Sequence, residues 1–189
     1  MKSEKKKTLL IFLILVLLAA AILLIAFAPK IKDKVERYIY RREYRDTVEE
    51  CAERYSLDAS RIYAVIMSES SFDPEAKSSA GAIGLMQIMP STYEWICDTT
   101  DIEYIDGGLT TPEINIECGC WYLRWLYDYF GDWKTVHAAY NAGPGKVKSW
   151  MGESGKLETI PNEGVDAYVA KIERIYNKYN ELYYGGTEK

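Results

Sequence analysis

Residues 65–92, VIMSESSFDPEAKSSAGAIGLMQIMPST, join an apolar helix to one glutamate, a turn-rich stretch and a glutamine set in a hydrophobic run. Counting back from Glu69, the residues Ile66, Val65 and Ile62 recur at helical spacing, so the carboxylate continues a buried stripe. Burial penalises the charged form of an acid and raises its pKa. A carboxylic acid that keeps its proton near neutrality can serve as a general acid. Pro74, Gly81 and Gly84 then break the helix and turn the chain.

Working outward, the pattern is helical and no segment sustains the alternation that marks a sheet, so the chain reads as all-α; no internal repeat is present. Residues 31–55 read as one charged helix, first a stalk and then the opening helix of a domain. Asp58 or Ser60 caps the helix that carries Glu69. A short helix follows Met89-Pro90 to about Cys97, and residues 98–111 form a loop. Pro112 marks the first turn of a long helix to Phe130. Asp132 caps a helix to about Asn141, broken by Ala142-Gly143-Pro144-Gly145, and residues 145–150 form a short helix. The last helix covers about 165–183, with Tyr168, Ile172, Ile175 and Tyr179 on one face.

The chain has 189 residues, and residues 9–28 contain no charged or strongly polar side chain. At about 1.5 Å per residue they reach roughly 30 Å, the thickness of a bilayer's hydrocarbon core. Lys2, Lys5, Lys6 and Lys7 precede the run and favour a cytoplasmic N-terminus. Lys30, Lys32, Lys34 and Arg37 follow it, so charge alone leaves orientation open. Ala26-Phe27-Ala28 resembles a signal-peptidase site, but Pro29 follows directly and the apolar run is long for a cleaved signal. An uncleaved signal anchor is the reading adopted, with a cleaved secretory signal second; no cysteine sits nearby to carry a lipid anchor. Apart from Lys2, Lys5, Lys6, Lys7 and Glu4, the chain holds 19 basic and 27 acidic residues, a net of −8. That surface argues against nucleic acid and against electrostatic attraction to anionic polymers. An uncharged sugar backbone, held by hydrogen bonds and aromatic stacking, fits it better, and 16 tyrosines and 5 tryptophans supply candidates.

Cys51, Cys97, Cys118 and Cys120 are even in number, and three disulfide pairings are formally open, as is a fully reduced state. Ile116, Cys120, Leu123, Tyr127 and Phe130 share a helical face, so Cys118 and Cys120 point apart and do not bond each other. The spacing does not suit zinc, and one histidine is present. No metal and no cofactor is expected.

Four blocks carry a family resemblance: Glu69-Ser70; Gly81-Ala82-Ile83-Gly84-Leu85-Met86-Gln87-Ile88-Met89-Pro90; Ala138-Ala139-Tyr140-Asn141-Ala142-Gly143-Pro144-Gly145; and Ile160-Pro161 followed by Ala167-Tyr168-Val169. In this order they resemble the catalytic domain of Slt-type lytic transglycosylases (glycoside hydrolase family 23). The resemblance implies a lysozyme-like helical domain with a substrate cleft. It also implies non-hydrolytic cleavage between N-acetylmuramic acid and N-acetylglucosamine in peptidoglycan. Glu69 matches the single catalytic acid/base, with Ser70 beside it; Ser78, Gln87 and Met89 match cleft-lining residues. Tyr140 and Asn141 match residues beside the catalytic carboxyl, with Tyr140 expected to hydrogen-bond it, and Tyr168 matches the late tyrosine near the same site. The family usually has a glutamate three residues after the proline of the fourth block, where this chain has Gly164, with Glu163 one residue early.

Each residue also has a plainer reading. Glu69 pairs with Arg61, Ser78 and Gln87 bond turns, and Met89 and Tyr168 pack a core. His137, on a face with Trp133, Val136 and Tyr140, reads as a core histidine. The expected organisation is a short cytoplasmic segment at 1–8, a transmembrane signal anchor at 9–28, a juxtamembrane stalk at 29–44 and the catalytic domain at 45–185. The expected partners are peptidoglycan glycan strands and the membrane, with cell-wall synthesis proteins open. Two rivals remain: a goose-type-lysozyme-like hydrolase with Asp73, Asp98 or Asp101 as a base, and a membrane-tethered glycan-binding scaffold with little turnover.

Overall fold

The computed structural model describes residues 2–185, and they divide into two compact units between Arg41 and Arg42. The first unit is one helix, α1 (Lys2–Ile39), which continues through Pro29. It is long and apolar enough to cross a membrane. Within it, Leu17, Leu24 and Ile25 are 66%, 69% and 75% exposed. Beyond it, Arg37 pairs with Asp33 at 3.0 Å, one helical turn back.

The second unit begins with α2 (Arg45–Tyr55). Residues 31–55 are thus two helices rather than the single one expected. Helix α1 ends at Ile39, and Tyr44 takes a left-handed φ of 56° before α2 starts, a conformation that helix propagation does not permit. Next comes α3 (Ala59–Glu69), whose first eight residues are all buried. The helices that follow are α4 (Pro90–Thr99), α5 (Pro112–Phe130), α6 (Trp133–Ala142), α7 (Pro144–Trp150) and α8 (Glu163–Tyr179). Of these, α8 packs most extensively against α3, and α2 packs against it too. Proline opens α4, α5 and α7, where its missing N–H costs nothing. Asp132 caps α6 by accepting from the Thr135 N–H at 2.9 Å.

Asp58 stands at the N-cap of α3 but makes no side-chain cap. Its carboxylate accepts from the Tyr176 hydroxyl at 3.0 Å, and Ser60 Oγ lies 2.6 Å from Asn180 Oδ1. Both polar groups are drawn away from capping to tie α3 to the C-terminal helix. That helix starts earlier than expected, because Asn162 caps it through the Val165 N–H. It widens after Tyr179 into a π-helical turn, Asn180–Tyr184. Val165, Val169, Ile172, Ile175 and Tyr179 form its buried stripe, and Tyr179 stacks on Tyr63 of α3 at 5.1 Å. Among the described residues there is no β-strand. Two isolated antiparallel bridges, Lys77 with Ile83 and Ile83 with Ile88, fold the loop after α3 back on itself.

Candidate active site

Glu69 is the last residue of α3, and it is partly buried. The Tyr168 hydroxyl of α8 donates to Glu69 Oε1 at 2.6 Å, and Lys171, one turn further on, donates to the Ser68 carbonyl at 2.9 Å. Burial pushes the Glu69 carboxyl above its ordinary value; the Tyr168 hydrogen bond and the Lys171 charge oppose that rise. Immediately after Glu69, Ser71 and Phe72 take φ of 54° and 70°. Left-handed geometry at two successive non-glycine residues costs conformational energy and persists where packing enforces it. Phe72 supplies the packing, being 4% exposed and set against Tyr63 at 6.4 Å.

The loop from 76 to 89 lies against this helix end and is held from three sides. Ser70 Oγ donates to the Leu85 carbonyl at 2.8 Å. The Tyr140 hydroxyl of α6 donates to the Met86 carbonyl, also at 2.8 Å. From α5, the buried Asn115 accepts from the Met86 N–H at 2.7 Å and donates to the carbonyls of Ile83 (2.9 Å) and Leu109 (2.8 Å). Two glycines permit the close approach. At Gly84, with φ of 80°, a Cβ would overlap Asn115 and the Leu109 carbonyl, and at Gly119 it would overlap Met86. Within the loop Gln87, at φ of 51°, donates to the carbonyls of Ala76 (3.0 Å) and Gly84 (2.9 Å). Ser78 Oγ accepts from the Ala82 N–H at 3.0 Å and closes the tip. Beside it lies a depression of about 280 Å³, lined by Lys77, Ile83, Pro90, Tyr93, Tyr104 and Leu109 among others.

Behind Glu69, Arg61 is 4% exposed and forms an ion pair with Glu173 of α8 at 3.0 Å. Its guanidinium sits over the rings of Trp133 and Tyr176 at 4.1 and 3.9 Å. Arg61 therefore pairs with Glu173, not with Glu69. His137 is fully buried, with Nε2 3.3 Å from Arg61 and Nδ1 3.2 Å from Glu173. Burial lowers its pKa and the Glu173 carboxylate opposes that shift.

The structure thus brings together Glu69, Ser70, Tyr140 and Tyr168 around one loop, with Gln87 inside it. Tyr168, not Tyr140, holds the carboxyl; Tyr140 lies near enough for Glu69's charge to raise its own pKa, after burial. Ser78, Met89 and Asn141 are exposed, Met89 at 38%, on the loop tip, the loop end and the C-terminal turn of α6. Asn115, Gly119 and Lys171 were not singled out from sequence. A glycine in mid-helix and an asparagine one turn before it were the available signal for the first two. All four cysteines are free thiols; Cys51 of α2 hydrogen-bonds Cys120 of α5, so Cys118 and Cys120 do point apart. Among the described residues no group of three or more His, Cys, Asp or Glu side chains could hold a metal.

A helical domain with a partly buried carboxyl at a helix end, beside a loop latched by polar contacts, is the arrangement that the comparisons with known proteins address. The Transglycosylase SLT domain model matches residues 46–162, and the chain belongs to that family. It is 38% identical over 143 residues to the "Soluble lytic murein transglycosylase" of Salmonella typhimurium strain LT2, covering 69% of this chain and 22% of that protein. With the "Membrane-bound lytic murein transglycosylase C" of Histophilus somni strain 2336 it shares 33% identity over 148 residues, 71% of this chain and 38% of the relative. The chain thus spans well under half the length of these relatives. An inactive glutamate-to-glutamine mutant of lytic transglycosylase Slt from Pseudomonas aeruginosa superposes with a TM-score of 0.70 and 30% identity, over 77% of this chain and 25% of that one. The lysozyme-like, Slt-type helical fold is therefore that of residues beyond the apolar helix.

Proposed function

We propose that this chain is a membrane-anchored lytic transglycosylase that cleaves the β-1,4 bond between N-acetylmuramic acid and N-acetylglucosamine in peptidoglycan. The observation that carries the proposal is the setting of Glu69: a partly buried carboxyl at the end of α3, oriented by the Tyr168 hydroxyl at 2.6 Å and with its pKa raised by burial. Two-carboxylate glycosidases need a nucleophile or a base besides the acid. One carboxyl suffices when the substrate provides the nucleophile. Glu69 protonates the glycosidic oxygen as the bond to C1 breaks. As carboxylate it then takes the proton from the C6 hydroxyl of the muramoyl sugar, whose oxygen closes onto C1 as a 1,6-anhydro ring. Atoms balance without water, and Glu69 ends protonated, as it began.

Tyr168 fixes the carboxyl's position, and Tyr140 and Ser70 fix the loop. Ser78, Gln87, Met89 and Asn141 contact the glycan. The relatives are named for lytic murein transglycosylase activity, and a Slt-type neighbour is inactive once a glutamate becomes glutamine, which supports an essential glutamate in this fold. A hydrolase is less favoured: Asp73 is engaged by the Glu75 N–H at 2.9 Å, and Asp98 and Asp101 are exposed around the end of α4. The apolar run 9–28 anchors the chain, residues 1–8 stay cytoplasmic, 29–44 form a stalk, and 45–185 work outside the membrane.

Full-length chain in detergent, incubated with purified peptidoglycan, should release soluble fragments. The Glu69→Gln chain should release none while still sedimenting with the polymer. Wild-type rates in Glu69→Gln would overturn the assignment. A folded wild-type chain that binds without releasing anything would favour the scaffold. Carbonate-resistant membrane retention, lost when residues 9–28 are deleted, is expected of the anchor.

A further inference from the structure

Along α5, Tyr122, Trp125 and Tyr129 recur at spacings of three and four, on one side of the helix. That side flanks the buried stripe of Ile116, Cys120 and Leu123. Tyr122 and Trp125 lie within 10° of parallel at 6.0 Å between centroids, and Trp125 and Tyr129 within 15° at 6.0 Å. Trp95 of α4 buttresses the row edge-on, 5.0 Å from Trp125 and 5.1 Å from Trp121. Tyr122, Trp125 and Trp95 are partly buried, and Tyr129, at the end of the row, is 53% exposed. A partly open aromatic row offers ring surface to a ligand that presents C–H groups.

The row is continuous with the candidate site. Tyr122 packs against Tyr140 at 5.5 Å, and Tyr140 bonds the loop beside Glu69. At its far end Lys148 of α7 lies 5.9 Å over the Tyr129 ring. We propose that the Tyr122–Trp125–Tyr129 face of α5 is an accessory track for sugar rings of the glycan strand whose cleavage is assigned to Glu69. The inference rests on that reading of the site. The physical basis is the aromatic quadrupole: the negative ring face attracts the polarised axial C–H groups of a pyranose, and needs no charge on the ligand. A surface of net negative charge recruits a neutral polymer through such contacts rather than through ion pairs.

The test uses the full chain in detergent with Glu69→Gln as background, so that binding is read without cleavage. Titration with β-1,4-linked N-acetylglucosamine trimer and hexamer gives two affinities for each variant. Tyr129→Ala and Trp125→Ala should each weaken the hexamer by roughly 3- to 10-fold while the trimer, seated by the site near Glu69, changes little. Melting temperatures are recorded alongside, and Tyr129→Ala, at an exposed position, keeps the comparison valid if Trp125→Ala unfolds. Unchanged hexamer affinity in Tyr129→Ala would overturn the track, as would an equal loss for both oligomers. Trp fluorescence quenched by brominated lipid in vesicles, and relieved by Trp125→Phe, would assign the face to the membrane instead. Failure of wild-type cleavage with the length-dependent loss intact would refute the enzyme reading and leave the track standing.

Discussion

At Glu69 two influences oppose each other: burial favours the neutral acid, while Tyr168 and Lys171 favour the carboxylate. Burial is the larger, so the folded-state pKa lies above the ordinary value of 4.5. The folded chain then holds this proton more tightly than the unfolded chain does. Stability from this group is complete below the unfolded pKa and is lost as pH rises through the folded pKa. Glu69→Gln removes that loss, so its melting temperature at pH 7 should exceed wild type. The difference should vanish in scans below pH 4.5; a mutant less stable than wild type at pH 7 would contradict the burial argument. Tyr168→Phe removes a donor that favours the charged form. Glu69's pKa should rise further, moving the alkaline limb of the pH–rate profile to higher pH, and the rate should fall by about 10-fold. An unmoved limb would mean that Tyr168 does not govern the carboxyl.

Between elements, the helix that carries Glu69 is positioned by polar contacts that run the length of α3 and α8. They are Tyr176 to Asp58, Asn180 with Ser60, Arg61 to Glu173, Lys171 to Ser68 and Tyr168 to Glu69. Arg61→Ala removes a buried cation that fills the space between two rings and pairs with Glu173. It should cost about 2–3 kcal/mol in denaturant titration, less than a fully buried pair because Glu173 is partly solvated. His137, the chain's single histidine, offers an independent check. Burial lowers its pKa, so the midpoint of its imidazole signals in an NMR titration should fall below the ordinary 6.5. On the other side of the site, Asn115→Ala would take the acceptor from the Met86 N–H and a donor from the Leu109 and Ile83 carbonyls, of which Ile83 keeps the Ile88 N–H at 3.0 Å. A loss of about 2–3 kcal/mol is expected, with substrate cleavage falling further than stability.

Much of this scale was legible in advance, because it is local. The apolar stripe ending in Glu69, proline at the start of α5 and the Asp132 cap all follow from residues within a turn or two. The partners were not, because they are long-range: 99 positions separate Tyr168 from Glu69, and 54 separate Tyr140 from Met86. Resemblance put both tyrosines near the carboxyl, but spacing holds no information on which hydroxyl reaches it. Asp58 and Ser60 look like caps for the same reason, since nothing local reveals that α8 competes for them.

Over the whole molecule, the chain joins a helix long and apolar enough to cross a membrane to a helical domain with one candidate acid. On the proposed reading the anchor would restrict where the domain acts, the net negative surface would direct it to an uncharged strand, and the single carboxyl would select an internal nucleophile over water. The last of these is the central claim, and the mass of the product tests it most directly. Purified peptidoglycan digested by the full-length wild-type chain, with Glu69→Gln alongside, would be analysed by mass spectrometry. The account predicts muropeptides one water lighter than hydrolytic products, ending in 1,6-anhydro sugar and absent with the mutant. Ordinary reducing ends from the wild-type chain would contradict it, because they require an activated water and a second group to activate it.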